Sequence, residues 1–236
     1  MILGRRVLAI TPARSGSKGI PNKNLAPLKG VSLIGRAGLV LQAASFIDAR
    51  VLSTDSAEYA EEGKRFGLES WFLRPASLSH DAAGAVETCQ HALLESERHY
   101  GTTFDVILIV EPTSPFRTAG DLERVTRLLL ESGADSAISV SPLSAKSHPR
   151  KILVLDGDRL DYFDQAGSNI KARQGLTGEF FWRNGICYAL TRECLMVKGA
   201  IITSHTVADV VSRPVVNIDD PIELLWAEFL LDYATE

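Results

Sequence analysis

Acidic residues are missing from one long stretch. No Asp or Glu occurs from Met1 to Ile47, which nonetheless carries Arg5, Arg6, Arg14, Lys18, Lys23, Lys29 and Arg36. The whole chain has a formal net charge of -4, so these cations are a local concentration and nucleic acid is not an expected partner. Cysteine is scarce: Cys89, Cys187 and Cys194 form no C-x-x-C pair, which excludes a disulfide framework and a cysteine zinc site and points to a reducing compartment. No apolar run approaches the roughly 18 residues of a membrane span. We therefore expect a cytoplasmic protein without a membrane partner. The five histidines show no metal-ligand spacing, and there is no G-x-S-x-G elbow, so a hydrolase triad is unsupported. G-x-G-x-x-G and G-x-x-x-x-G-K-[ST] are also absent, which argues against a dinucleotide dehydrogenase and a P-loop NTPase.

What the cationic stretch does contain is a loop after the first apolar run, Thr11-Pro12-Ala13-Arg14-Ser15-Gly16-Ser17-Lys18-Gly19-Ile20-Pro21-Asn22-Lys23-Asn24. Glycines allow backbone N–H groups to turn inward as an anion nest, and Arg14, Lys18 and Lys23 add fixed positive charge. That combination suits a polyphosphate.

Strand-length apolar runs alternate with helical segments: strands at Val7–Ile10, Arg50–Ser53, Ser70–Leu73 and Asp105–Val110, helices at Leu33–Phe46, Ala57–Phe66, Ala83–Tyr100 and Ala119–Ser132. The pattern predicts an α/β fold, Rossmann-like, with a mostly parallel central sheet flanked by helices and Asp105–Val110 at its centre. Asp81 and Asp121 fall where first helical turns place acids against the macrodipole. From Pro142 to Gly178 the alternation stops, and Ile152–Leu155, Asp156-Gly157-Asp158 and Arg159–Phe163 read as a small β-hairpin insertion. Strands at Gly185–Leu190 and Val215–Ile218 and a helix at Pro221–Tyr233 complete what is expected to be a single domain over residues 1–236, with residues 142–178 embedded in it.

Ala13-Arg14-Ser15-Gly16-Ser17-Lys18-Gly19 with Lys23-Asn24 resembles the N-terminal signature of the CMP-sialic acid synthetases, the acylneuraminate cytidylyltransferases, relatives of the Kdo cytidylyltransferases. Ser53-Thr54-Asp55, Leu73-Arg74-Pro75 with Asp81, Pro112-Thr113-Ser114-Pro115, Arg183-Asn184-Gly185 with Tyr188, and Ile218-Asp219 follow in the family's order. The resemblance implies transfer of CMP from CTP to the anomeric hydroxyl of an acidic, sialic-acid-like 2-keto sugar, with loss of pyrophosphate. It also implies a homodimer, with residues 142–178 as its dimerisation element.

On that resemblance Arg14, Lys23 and Arg173 are the candidate catalytic residues, and Ser15, Gly16, Lys18 and Asn24 belong to the triphosphate loop. Arg74 would line the nucleotide pocket; its other reading is a surface ion pair. Ala83 and Ala85 stand where relatives often carry serines beside cytosine, leaving base recognition to the backbone. Asp219 would bind Mg²⁺, the implied cofactor, or else cap a helix, and Asn217 replaces a second aspartate common in relatives. Lys151, Arg173, Gln174, Asn184 and Tyr188 would serve the sugar, with core packing the stronger reading for Tyr188. Glu111 stands where the family usually has Gln facing the sugar. It would meet a cationic group on the acceptor, or approach Mg²⁺, or pair with Arg117. Two other functions stay open, a nucleotidyltransferase for another acceptor and a non-catalytic nucleotide-binding regulator.

Overall fold

A computed structural model describes residues 1–170, 172 and 175–233. Six strands form one sheet in the order β10-β6-β9-β5-β1-β4, where β1 is Val7–Pro12, β4 Ala49–Ser53, β5 Val106–Ile109, β6 Ser136–Pro142, β9 Phe181–Thr191 and β10 Thr206–Val210. Two further strands, β2 (Pro27–Leu28) and β3 (Val31–Ser32), pair as a short hairpin, and β7 (Leu153–Asp156) and β8 (Arg159–Tyr162) form another. The helices are α1 (Leu33–Ala43), α2 (Ala57–Arg65), α3 (Ala85–Tyr100), α4 (Ala119–Ser132) and α5 (Pro221–Tyr233).

β1 pairs in parallel with β4 on one side and β5 on the other, so the chain enters at the same end of each and leaves at one carboxyl edge. Every residue of β5 and the first five of β1 are buried, the burial of both faces that a helix-covered parallel sheet requires. β9 is antiparallel to β5, with Ile109 opposite Tyr188 and Val106 opposite Thr191. The start of β9, not its end, therefore reaches the edge where β5 finishes. Asp121 stands at the third position of α4, where its carboxylate and the Thr118 side chain cap each other's backbone N–H groups.

Several expectations need correction. Ser70–Leu73 is not a strand: only Glu69 bridges to Val51, while Trp71 stacks on His99 at 4.0 Å and Phe72 meets His91 edge-on. Aromatic packing takes the segment off the sheet. Val215–Ile218 is not a strand either; Ile218 donates one backbone bond to Thr113, and its side chain and that of Val216 pack with Leu28, Leu33, Ala227 and Leu230. Asp81 lies outside a helix, since α3 begins at Ala85, and it is bound to cations instead. β6 and β10 were not expected.

The chain divides into two compact units. The larger comprises Met1–Ser139, Asn184–Asp209 and the segment from Arg213 onward. The smaller, Val140–Arg183 with Val210–Ser212, contains the β7–β8 hairpin. Gly157 turns that hairpin with φ of 58°. Register sets Leu153 opposite Tyr162 and Leu155 opposite Leu160, so one face is apolar while Val154, Asp156, Arg159 and Asp161 share the other. In the same unit Arg150 donates to Asp164 at 3.2 Å and to Thr177 at 2.9 Å, and His148 packs edge-on against Phe180.

Candidate active site

The loop after β1 is held open from beneath. Ser15 donates its backbone N–H to Asp55 Oδ1 at 2.9 Å and its hydroxyl to Oδ2 at 3.1 Å. The amide of Asn24, 5% exposed, donates to the Arg14 carbonyl at 3.1 Å. Asn24 thus braces the loop. Gly19 is required by close approach, because a Cβ there would fall 2.5 Å from the backbone oxygen of Asp219, whereas one at Gly16 would meet only open space.

Each cation of the loop faces a carboxylate. Asp81 takes Arg14 on one oxygen and Lys18 on the other, both at 2.5 Å, and these bonds hold its carboxyl below the usual carboxylate range. Lys23 donates to Asp219 at 2.7 Å; the lysine side chain is 14% exposed and the aspartate 71%. An approaching polyanion would find the positive charge in place and its counterions displaceable.

Two adjoining clefts open here. One, of about 530 Å³, is lined by Arg14, Lys18, Lys23, Glu111, Asn217 and Asp219 among others. The second, of about 220 Å³, shares Pro12 and Arg14 with it and adds Arg74, His80, Asp81, Ala83, Ala85 and Thr88. Arg74 is 6% exposed, so the surface ion-pair reading is wrong. Its Nε donates to Ser79 at 3.2 Å, while Nη2 is buried without a hydrogen-bond partner. Burial lowers the guanidinium pKa, with Asp55 acting in the opposite direction. A buried cation with an unmet donor needs an acceptor, and the cleft is where one can enter.

Glu111 and Asn217 meet at Gly185, whose φ is 69°. A Cβ on it would lie 2.8 Å from Glu111 Oε2, 3.5 Å from Asn217 Nδ2 and closer still to Ser114 Oγ. Glu111 therefore stands beside Asn217 on the cleft wall. Arg117, 4% exposed, donates to the backbone carbonyls of Glu111, Gly185 and Ile186, tying the β5 loop to the start of β9. Burial pulls its pKa down to about 10, against the opposing fields of Cys187, Glu111 and Asp121.

Two other candidates are core residues. Asn184 is fully buried: its Oδ1 accepts from Ser139 Oγ and Ile186 N–H, and its carbonyl accepts from Ser114 Oγ. Tyr188, 6% exposed, lies in the middle of β9. Lys151 belongs to the smaller unit, and Arg173 and Gln174 lie outside the described residues. Asp55, at the end of the Ser53-Thr54-Asp55 run, is a further site residue: its carboxylate braces Ser15, a role that no local sequence signal marks. Burial pushes the Cys89 and Cys187 thiols up to about 12, so neither is a thiolate nucleophile.

Among the described residues no three His, Cys, Asp or Glu side chains gather closely enough to cage a metal. Asp219, Glu111 and the Asn217 amide are oxygen donors on one cleft. One or two carboxylates with room for phosphate oxygens and water is the donor set of Mg²⁺. The residues present fit that ion.

A family model described as cytidylyltransferase matches residues 8–174. The chain belongs to the cytidylyltransferase family. Its members are nucleotidyltransferases, so the chain is classed as an enzyme. It is 24% identical over 95% of its length to the post-translational flagellin modification protein B of Campylobacter coli, covering 94% of that protein. It is also 33% identical to the CMP-N,N'-diacetyllegionaminic acid synthase of Legionella pneumophila over 60% of each chain. A CMP:2-keto-3-deoxy-manno-octonic acid synthetase solved with CTP shares the fold at a TM-score of 0.69 and 17% identity, over 97% of this chain and 99% of that one. Among the described residues no helix is long and apolar enough to cross a membrane.

Proposed function

We propose that this cytidylyltransferase moves CMP from CTP to the anomeric hydroxyl of a sialic-acid-like 2-keto-3-deoxy sugar acid. The hydroxyl oxygen attacks the α-phosphorus and the bond to the β-phosphate oxygen breaks. Pyrophosphate leaves, and the hydroxyl proton passes to water. The observation that carries the reading is the buried, unmet Nη2 of Arg74 in a cleft continuous with the cationic glycine loop. Chemistry of this kind is driven by positioning and charge neutralisation more than by a reactive side chain.

In this reading the triphosphate exchanges with Asp81 and Asp219 for Arg14, Lys18 and Lys23. Mg²⁺ would be held by Asp219 and the Asn217 amide oxygen and would neutralise charge on the phosphate oxygens. Arg74 fixes the nucleotide, and cytosine is read by backbone groups near Ala83 and Ala85. Glu111 faces the acceptor, with Arg173 orienting the sugar carboxylate and Lys151 and Gln174 nearby. The active form is a homodimer joined through residues 142–178, whose exposed apolar hairpin face supports that reading.

The test is pyrophosphate release from CTP and Mg²⁺ with sialic, legionaminic, pseudaminic and Kdo-type acids offered separately. Turnover with at least one identifies the acceptor class. CTP binding without turnover on any of them would overturn the reading in favour of another acceptor or of a nucleotide-binding regulator.

A further inference from the structure

We infer that the outward face of α5 is an interface between two copies of this chain, the helix packing antiparallel against the same helix of the second copy. From Ile222 to Tyr233 the exposed positions are Ile222, Leu225, Trp226, Phe229, Asp232 and Tyr233. All but Asp232 are large and apolar, spaced three or four residues apart as one stripe. Trp226 stacks on Phe229 at 5.1 Å and Phe229 on Tyr233 at 6.3 Å, giving a flat aromatic surface. The opposite side of the helix is apolar as well, since Ala227 and Leu230 sit in the core with Leu224 and Leu231 against it. A helix apolar on both sides belongs inside something.

Two charged groups of α5 are already engaged by neighbouring residues. Glu223 accepts backbone N–H groups of Asp219 and Asp220, and Asp232 pairs with Lys29 at 2.7 Å. Flanking charge is acidic and no Lys or Arg occurs in the helix, the reverse of a helix that lies on an anionic membrane. Five side chains of roughly 200 Å² each, 49 to 70% exposed, offer on the order of 600 Å². That reaches the upper limit for a patch on a lone protein and supplies most of the ~800 Å² that each partner contributes to a stable pair. A two-fold axis makes such a stripe its own complement. Antiparallel packing sets Trp226 beside Phe229 of the partner subunit and Ile222 beside Tyr233 of the partner subunit, with the carboxylates at the margin.

This inference extends the homodimer reading to a surface outside residues 142–178. Sedimentation of Phe229→Glu, beside a hairpin variant carrying Leu155→Glu and Leu160→Glu, separates the two. The α5 variant should keep the parent's far-UV spectrum and drop to a smaller species, with a dissociation constant raised about tenfold or more. A parent that is monomeric at micromolar concentration, or an α5 variant that keeps the parent's oligomeric state, overturns the inference; loss of assembly in the hairpin variant alone leaves only the earlier reading standing. If Phe229→Glu fails to fold, mixed Trp226→Cys and Phe229→Cys chains decide the matter. The native thiols are buried, so oxidation should give a disulfide-linked dimer across the helix pair, and its absence from folded protein counts against the inference.

Discussion

Arg14 and Asp81, 67 residues apart in sequence, meet at 2.5 Å across the mouth of the cleft. With Lys18 on its other oxygen, Asp81 occupies the cations that a triphosphate needs. Asp81→Asn should therefore tighten CTP and pyrophosphate binding, by about two- to fivefold for an exposed pair, and more at low salt. Isothermal titration measures it; weaker binding would mean that Asp81 holds the arginine in its productive pose. Because the pairing depresses the Asp81 pKa, the carboxylate stays charged above the ordinary range near 4 and is released only as pH falls through its lowered value. The effect of the substitution should be constant across neutral pH.

Lys23→Ala should lower turnover by about 10²–10³ with little loss of stability, as expected when one electrostatic donor to transition-state charge is removed. Steady-state pyrophosphate release alongside a thermal melt tests this. Parent-like kcat at saturating CTP would refute it.

Glu111→Gln should redistribute activity among keto sugar acids and leave the Mg²⁺ concentration dependence unchanged. A competition assay with mixed acceptors reads the first and a metal titration the second. The opposite pattern would assign Glu111 to the metal instead of the sugar.

Gly185→Ala should destabilise the protein by roughly 2–4 kcal/mol, since a left-handed φ and a clash with Ser114 and Glu111 act together. Gly19→Ala should behave differently. Its Cβ pushes on the Asp219 carbonyl, so activity should fall further than melting temperature.

Asp121, 1% exposed, opposes burial with hydrogen bonds from Arg213, Arg124 and Thr118, and its pKa ends below the normal value. A depressed carboxylate adds stability that is full above its unfolded pKa near 4 and is lost as pH falls through the folded one. Asp121→Asn should cost roughly 2–4 kcal/mol at neutral pH and flatten the acid limb of the stability curve. A chemical denaturation series from pH 3 to 7 shows both.

β1, α4 and α5 were legible because apolar period, cap and Pro–Gly punctuation agree within each segment. β6 was not, because Ser136, Ser139 and Ser141 dilute its apolar pattern. Those hydroxyls are tolerated inside only because distant partners take them: Ser139 reaches Asn184 and Cys187, and Ser141 reaches Val211. Ser70–Leu73 misled for the converse reason, its aromatics being committed to His91 and His99 and not to a sheet. In the candidate site the loop cations could be read from sequence, as local charge and glycine. Their counterions could not. Asp81 comes from the connection between β4 and β5 and Asp219 from the segment after β10, and only the fold brings either of them to the loop.

The reversed strand β9 has a consequence for how the molecule comes into being. Its register with β5 joins residues 85 apart in sequence (191 − 106). Until β9 is made, the β5 edge opposite β1 lies open and Arg117 has no Gly185 and Ile186 carbonyls to bind. Closing so long a loop is slow relative to local pairing, so β1, β4 and β5 can assemble first and the Glu111–Gly185 junction forms late. During synthesis the cationic loop thus emerges well before the segment that carries Asp219, and the candidate cleft is finished late.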